Sequence, residues 1–220
     1  MGVIARQSIK GALANYLGIA IGFLTTFFVL TDLLTEEEIG LTRVMVDAAM
    51  LFSGLAQLGT NASIIKFYPH FKDPATRDHG FFGWTLLLPL VGFTLFAALF
   101  FIFKERLIDT FAPKSPMIVD YIYYLLPLTF FALYMTVFET NSNVLLRIAV
   151  PKFIREVGIR LLNLITYLLY GHHLITLDLF VILFCAAYAV AMLLDLVYLI
   201  VIRRKEYSQP HPASPSTTQH

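Results

Sequence analysis

One cysteine in 220 residues leaves no intrachain disulfide and no thiolate metal cluster to consider. Cys185 lies in the apolar run Val181 to Ala187 and reads as a helix-packing residue. Charge is also scarce, at 14% of residues and a net +1, so the chain lacks the basic surface that nucleic-acid binding uses. A phosphate-cradling glycine loop, a metal-ligand pattern and a nucleophile triad are missing as well, and His172-His173 at a helix end reads as a loop feature. Neither catalysis nor a cofactor is expected. What is plentiful is apolar: 58% of residues, with a mean hydropathy of +0.73. That is more apolar surface than one soluble core buries, so the solvent of this chain is a bilayer.

A spanning helix needs roughly 20 mostly apolar residues to cross about 30 Å of hydrocarbon. Six segments qualify, giving an all-α integral membrane bundle with helices at about 8–32, 40–68, 80–103, 116–148, 151–170 and 177–202. The first apolar run, Leu13 to Leu34, is too long for a signal-peptide core and is expected to stay as an anchor. Its Ala14, Gly18 and Gly22 recur every four residues, a small-residue stripe that predicts close approach of another helix. Thr35 followed by Glu36-Glu37-Glu38 predicts an N-cap and an acidic first turn for the second helix. Pro69 is expected to close that helix and Pro127 to kink the fourth, while Pro151 suits the first turn of the fifth. The sequon Asn61-Ala62-Ser63 lies within an apolar segment and reads as chance. The expected organisation is a six-helix lobe over residues 1–205 and a disordered cytoplasmic tail over 206–220, rich in Pro, Ser, Thr, Gln and His.

Charge sets the orientation. One set of connections holds Arg6, Lys10, Lys66, Lys72, Arg77, Arg147, Lys152, Arg155, Arg160, Arg203, Arg204 and Lys205, and the opposite set only Lys104, Arg106 and Lys114. The positive-inside rule places both termini in the cytoplasm and Glu37, Lys114 and His172 outside.

Polar residues inside the apolar segments mark the candidate site, because a charge at the membrane centre costs about 2.5–3.5 kcal/mol on insertion scales. On the second helix Arg43, Asp47, Met50, Gly54, Gln57, Asn61 and Tyr68 are predicted to share one face. Arg43 and Asp47, four apart, either form a helix-end ion pair or offer a guanidinium, held by the acid, to an anionic headgroup. The fourth helix carries Glu139, Asn143 and Arg147 in consecutive turns, and the fifth carries Lys152, Glu156, Arg160, Asn163 and Tyr167. These either anchor helix ends at the interface or form a basic funnel for a lipid pyrophosphate. Asp195, on one face with Tyr188 and Met192, is the deepest lone acid, either a structural hydrogen-bonding group or a proton or cation site.

The run Leu34-Thr35-Glu36-Glu37-Glu38-Ile39-Gly40-Leu41, then Leu55-Ala56-Gln57-Leu58-Gly59 and Ile64-Ile65-Lys66-Phe67-Tyr68, resembles the polysaccharide-biosynthesis flippases of the superfamily that also contains multidrug exporters. Asn143 to Arg147 before Pro151-Lys152-Phe153 is similar to that family's fourth-to-fifth helix connection. The resemblance covers about residues 4–202 and implies one six-helix lobe of a two-lobed exporter in the bacterial inner membrane. It implies flipping of a lipid-linked oligosaccharide by alternating access, with Arg43, Asp47, Gln57, Asn61, Glu139, Arg147, Arg160, Asn163 and Asp195 as cavity candidates. Cation-coupled multidrug export and a noncatalytic scaffold in a polysaccharide synthesis complex are the alternatives. The expected partners are the lipid-linked oligosaccharide, membrane lipids, and a second copy or a C-terminal lobe that would supply the opposite wall. The chain is expected to be a truncated gene product or to need such a partner.

Overall fold

The computed structural model describes residues 2–73, 76, 78–113 and 116–207. Arg77 and Lys114, which entered the charge argument, and residues 208–220 of the tail lie outside the described residues. Among the described residues there are seven helices and no strand. Helix α1 runs Val3–Thr25, continues through a π-helical turn Thr26–Leu30 and ends as Thr31–Leu33. Helix α2 is Glu36–Ala56, α3 is Thr60–Phe71 and α4 is Phe81–Phe111. Short turns Ile118–Tyr121 and Ile122–Tyr124 lead into α5, Leu125–Val144. Helix α6 starts as Ala149–Phe153, passes through a second π-helical turn Ile154–Gly158 and ends as Ile159–Gly171. The last helix, α7, is Leu177–Tyr207.

Five stretches are long and apolar enough to cross a membrane: Ala5–Leu33, Glu36–Ala56, Asp78–Phe111, Ile118–Val144 and Leu177–Tyr207. Helix α6 is of similar reach but carries Lys152, Arg155, Glu156 and Arg160. The protein is an all-α membrane bundle, and its exterior is accordingly apolar, with Trp84 at 68% exposure as one example.

Several local expectations are corrected by the backbone. The segment 40–68 is not one helix: Leu58 and Gly59 adopt left-handed φ of 48° and 72°, and α2 stops at Ala56. The stop is packed in place, since a Cβ on Gly92 of α4 would lie 1.9 Å from the Ala56 carbonyl oxygen. Pro69 sits inside the last turn of α3, which runs on to Phe71. The irregularity expected at Pro127 falls just before it, in the 3-10 turn Ile122–Tyr124, which leaves the proline in the first turn of α5, where a missing N–H costs no helical bond. Helix α4 reaches Phe111, so Lys104 and Arg106 lie on helix and not in a loop. Helix α5 ends at Val144, and α7 extends to Tyr207, so the first residues of the expected tail are helical.

Helix α5 is central. It packs on α2, α3, α4 and α7, and residues all around it are buried, among them Leu125, Leu128, Leu133, Tyr134, Val137 and Phe138. A ladder of rings, Tyr167, Tyr170, Phe180, Phe184 and Tyr188, joins α6 to α7. Helix α1 lies on α6, where the expected small-residue stripe makes its contact: a Cβ on Gly18 would come within 2.6 Å of the Glu156 carbonyl oxygen.

Cross-links sort the connections onto two ends of the bundle. At one end the Ala149 amide donates to Gln7 Oε1 at 3.2 Å, Lys72 pairs with Glu206 at 3.1 Å, and Arg203 Nη2 donates to Asp78 Oδ2 at 2.8 Å. At the other, Thr35 is the expected N-cap and forms a capping box with Glu38, Tyr170 donates to Glu38, and Tyr121 donates to Asp178 at 2.7 Å. The Asp78–Arg203 pair was not foreseen. It is buried, with Asp78 2% and Arg203 6% exposed; Tyr207 also donates to Asp78, and Phe82 lies 4.4 Å from the guanidinium carbon.

Gly18→Ala should lower the thermal midpoint of the purified protein, since overpacking a tight contact costs about 1–3 kcal/mol. Gly54→Ala, where a Cβ meets nothing within 4 Å, should not. Equal midpoints for both variants would contradict the α1–α6 contact.

Candidate functional site

The stripe on α2 faces out of the bundle. Leu41, Met45, Ala48 and Ala49, spaced by three and four residues, turn that helix's apolar side inward, and Arg43, Asp47 and Gly54 are left exposed. Met50 and Gln57 are half-buried before the bend at Leu58-Gly59, and beyond it, where α3 takes a new register, Asn61 is half-buried and Tyr68 buried. The stripe therefore ends at the bend. Among the described residues Arg43 and Asp47 form no ion pair. Instead Arg43 lies within electrostatic reach of Tyr167 on α6, whose hydroxyl also meets Thr42.

Behind Tyr167 is a cavity of about 170 Å³ between α1 and α6, lined by Gly22, Thr25, Thr26, Arg160, Asn163 and Tyr167 together with Leu30. Arg160 enters it only because Gly22 has no side chain: a Cβ there would stand 2.4 Å from Arg160 Nη1. The guanidinium donates to the Gly18 carbonyl at 2.7 Å and to Glu156 Oε2 at 3.2 Å. Asn163 is 8% exposed, and its Oδ1 accepts no hydrogen bond. Its side chain meets the Tyr188 hydroxyl. Both π-helical turns border this region: Thr26 and Leu30 belong to the first, and Glu156 to the second. A π-turn inserts one residue into the helical repeat and re-aims the side chains beyond it, and such turns recur at functional positions.

A second polar group lies deeper along α5 and α7. Arg155 Nη1 donates to Glu139 Oε2 at 2.8 Å, and Asp195 is within electrostatic reach of both. Asp195, 2% exposed, has an unpartnered Oδ1. It is not isolated, as its sequence position suggested: Glu139 on α5 and Arg155 on α6 both lie within its electrostatic reach. Asn143 Oδ1 and Ser142 Oγ on α5 are buried without partners as well. In a membrane bundle such groups gather where polar cargo or water is accommodated.

Arg147 does not continue the Glu139–Asn143 row, because α5 has ended: the Leu146 amide donates to Asn143 O and the Arg147 amide to Ser142 O, both at 2.9 Å, with Leu146 at φ 58°. This Schellman end turns Arg147 toward α7. There it borders a separate cavity of about 370 Å³ with Tyr198 and Lys205.

The structure thus brings Arg160 and Asn163 together, sets Arg43 beside their neighbour Tyr167, places Glu139 within electrostatic reach of Asp195, and leaves Asp47, Gln57 and Asn61 outside these groups. Arg155 escaped the candidate list because it sits one residue off the four-residue spacing of Lys152, Glu156 and Arg160. The π-turn at Ile154–Gly158 is what brings it to Glu139. The cavity's α1 wall, Thr25 and Thr26, was legible only as the continuation of the glycine stripe.

No curated protein and no solved structure shows significant similarity to the chain. The profile of the family described as Polysaccharide biosynthesis protein matches residues 4–219. With nearly the whole sequence matched and a multi-pass helical bundle to carry it, this membrane protein belongs to the polysaccharide biosynthesis family.

Proposed function

We propose that the chain forms one wall of a flippase that moves a lipid-linked oligosaccharide across the bacterial inner membrane for surface polysaccharide or lipopolysaccharide assembly, without covalent chemistry. The observation that carries this reading is the polar path on an otherwise apolar exterior. Arg43 stands exposed on α2, and the Arg160–Asn163 cavity opens behind the neighbouring Tyr167. A guanidinium suits the phosphate of such a cargo because its planar fork donates two parallel hydrogen bonds. Asn163, with a free acceptor, suits a sugar hydroxyl. The lipid tail would stay in the bilayer while the headgroup followed this path. An outward-facing polar stripe is tolerable in hydrocarbon only against an opposite wall, supplied by a second copy or a C-terminal lobe.

In the assembly that is active in cells, Arg43→Ala should lower glycan export about tenfold or more at unchanged membrane protein level, as loss of a charge-assisted pair implies. Arg43→Lys should restore only part of it, since a point charge lacks the fork. Equal export by Arg43→Ala and wild type would defeat the assignment.

The charge bias places the basic end of the bundle in the cytoplasm. Cysteines introduced at Glu37 and His172 should then react with an impermeant thiol reagent in intact cells, and cysteines at Lys72 and Arg204 should not. The reverse pattern would invert the proposed topology.

Asp195, beside Glu139 and Arg155, favours a second reading, cation-coupled multidrug export. Under it, Asp195→Asn abolishes protection against cationic drugs. Under the flippase reading no such protection exists in the wild type, and an assay of drug susceptibility separates the two.

A further inference from the structure

The cavity at the end of α5 and α7 is built differently from the proposed transport path. Two cations reach it from separate elements, Arg147 from the connection that follows α5 and Lys205 from the last turn of α7. Arg147 is held there by the Schellman end, whose two backbone bonds and left-handed Leu146 fix the direction of the chain. Among the described residues its guanidinium has no hydrogen-bond acceptor and no ion pair, and Tyr198 lies within its electrostatic reach. The one acid on the rim, Glu206, is engaged by Lys72. The cavity is therefore electropositive.

Its remaining walls are Leu145, Val201 and Ile202, apolar surface at the point where the spanning helices end. Cationic donors above apolar walls, at the depth where helices leave the hydrocarbon, match a group that is anionic at its head and hydrocarbon below. The last turn of α7 is itself fixed by the Asp78–Arg203 pair and the Lys72–Glu206 bridge, so Lys205 is presented by an ordered helix end.

We infer that the Arg147–Lys205–Tyr198 cavity binds the phosphate headgroup of a resident anionic glycerophospholipid. This site is separate from the cargo path and does not depend on the flippase reading. Arg147 takes the phosphodiester oxygens, Lys205 adds the second positive charge, and the glycerol and first acyl carbons lie on Leu145, Val201 and Ile202.

The test uses the full chain in neutral detergent, titrated with mixed micelles containing phosphatidylglycerol or phosphatidylcholine, with bound lipid counted by native mass spectrometry and the thermal midpoint followed in parallel. Phosphatidylglycerol should be retained over phosphatidylcholine, and Arg147→Gln and Lys205→Gln should each cut that preference about fivefold. The exchange variant Arg147→Lys/Lys205→Arg should keep it, which guards against loss of fold in the neutral variants. Inorganic phosphate at millimolar concentration should not displace the lipid, because it lacks the apolar contact. Equal retention of the two lipids, an undiminished preference in both glutamine variants, or displacement by inorganic phosphate would each overturn the site. Displacement by a polyprenyl pyrophosphate would reassign it to the cargo.

Discussion

A guanidinium stands inside this bundle because α1 offers it bare backbone. Arg160 reaches the Gly18 carbonyl past Gly22, where a Cβ would crowd its guanidinium, while Gly18 lets the Glu156 backbone of α6 come close. The rest of the cavity depends on that contact. The close approach of α1 to α6 brings Thr25 and Thr26 opposite Asn163, and Arg160 holds Glu156 on the π-turn. The hydrogen bond that this backbone carbonyl accepts from the guanidinium is charge-assisted, and so stronger than a neutral one.

The helix irregularities share one logic. Each interrupts the 3.6-residue repeat and re-aims the side chains beyond it. The bend at Leu58-Gly59 stops α2 against α4, the π-turn on α6 aims Arg155 at Glu139, and the Schellman end of α5 turns Arg147 out of the row that would have carried it on. Each irregularity falls beside a polar residue that the fold had to place.

Composition and hydropathy made the membrane bundle legible. The N-cap at Thr35 and the glycine stripe of α1 were also readable, because both are local patterns with fixed spacing. The rest was not, for a physical reason. Periodicity arguments carry one register along a whole helix, so they put Tyr68 on the face of Arg43, and Arg147 on that of Glu139, where the backbone had already changed direction. Arg155 was hidden by the same assumption. The Asp78–Arg203 pair joins residues 125 apart in sequence, and no local pattern encodes such a partner.

That pair has a mechanical meaning. Arg203 is gripped by Asp78, Tyr207 and the face of Phe82, and Asp78 is tied in turn to the Asp73 backbone in both directions. The connection between α3 and α4 is thus riveted to the foot of α7. A tilt of α7 drags that connection with it, and α4 follows from Gly80 onward. Through that one junction α4 and α7 are coupled at the same end of the bundle.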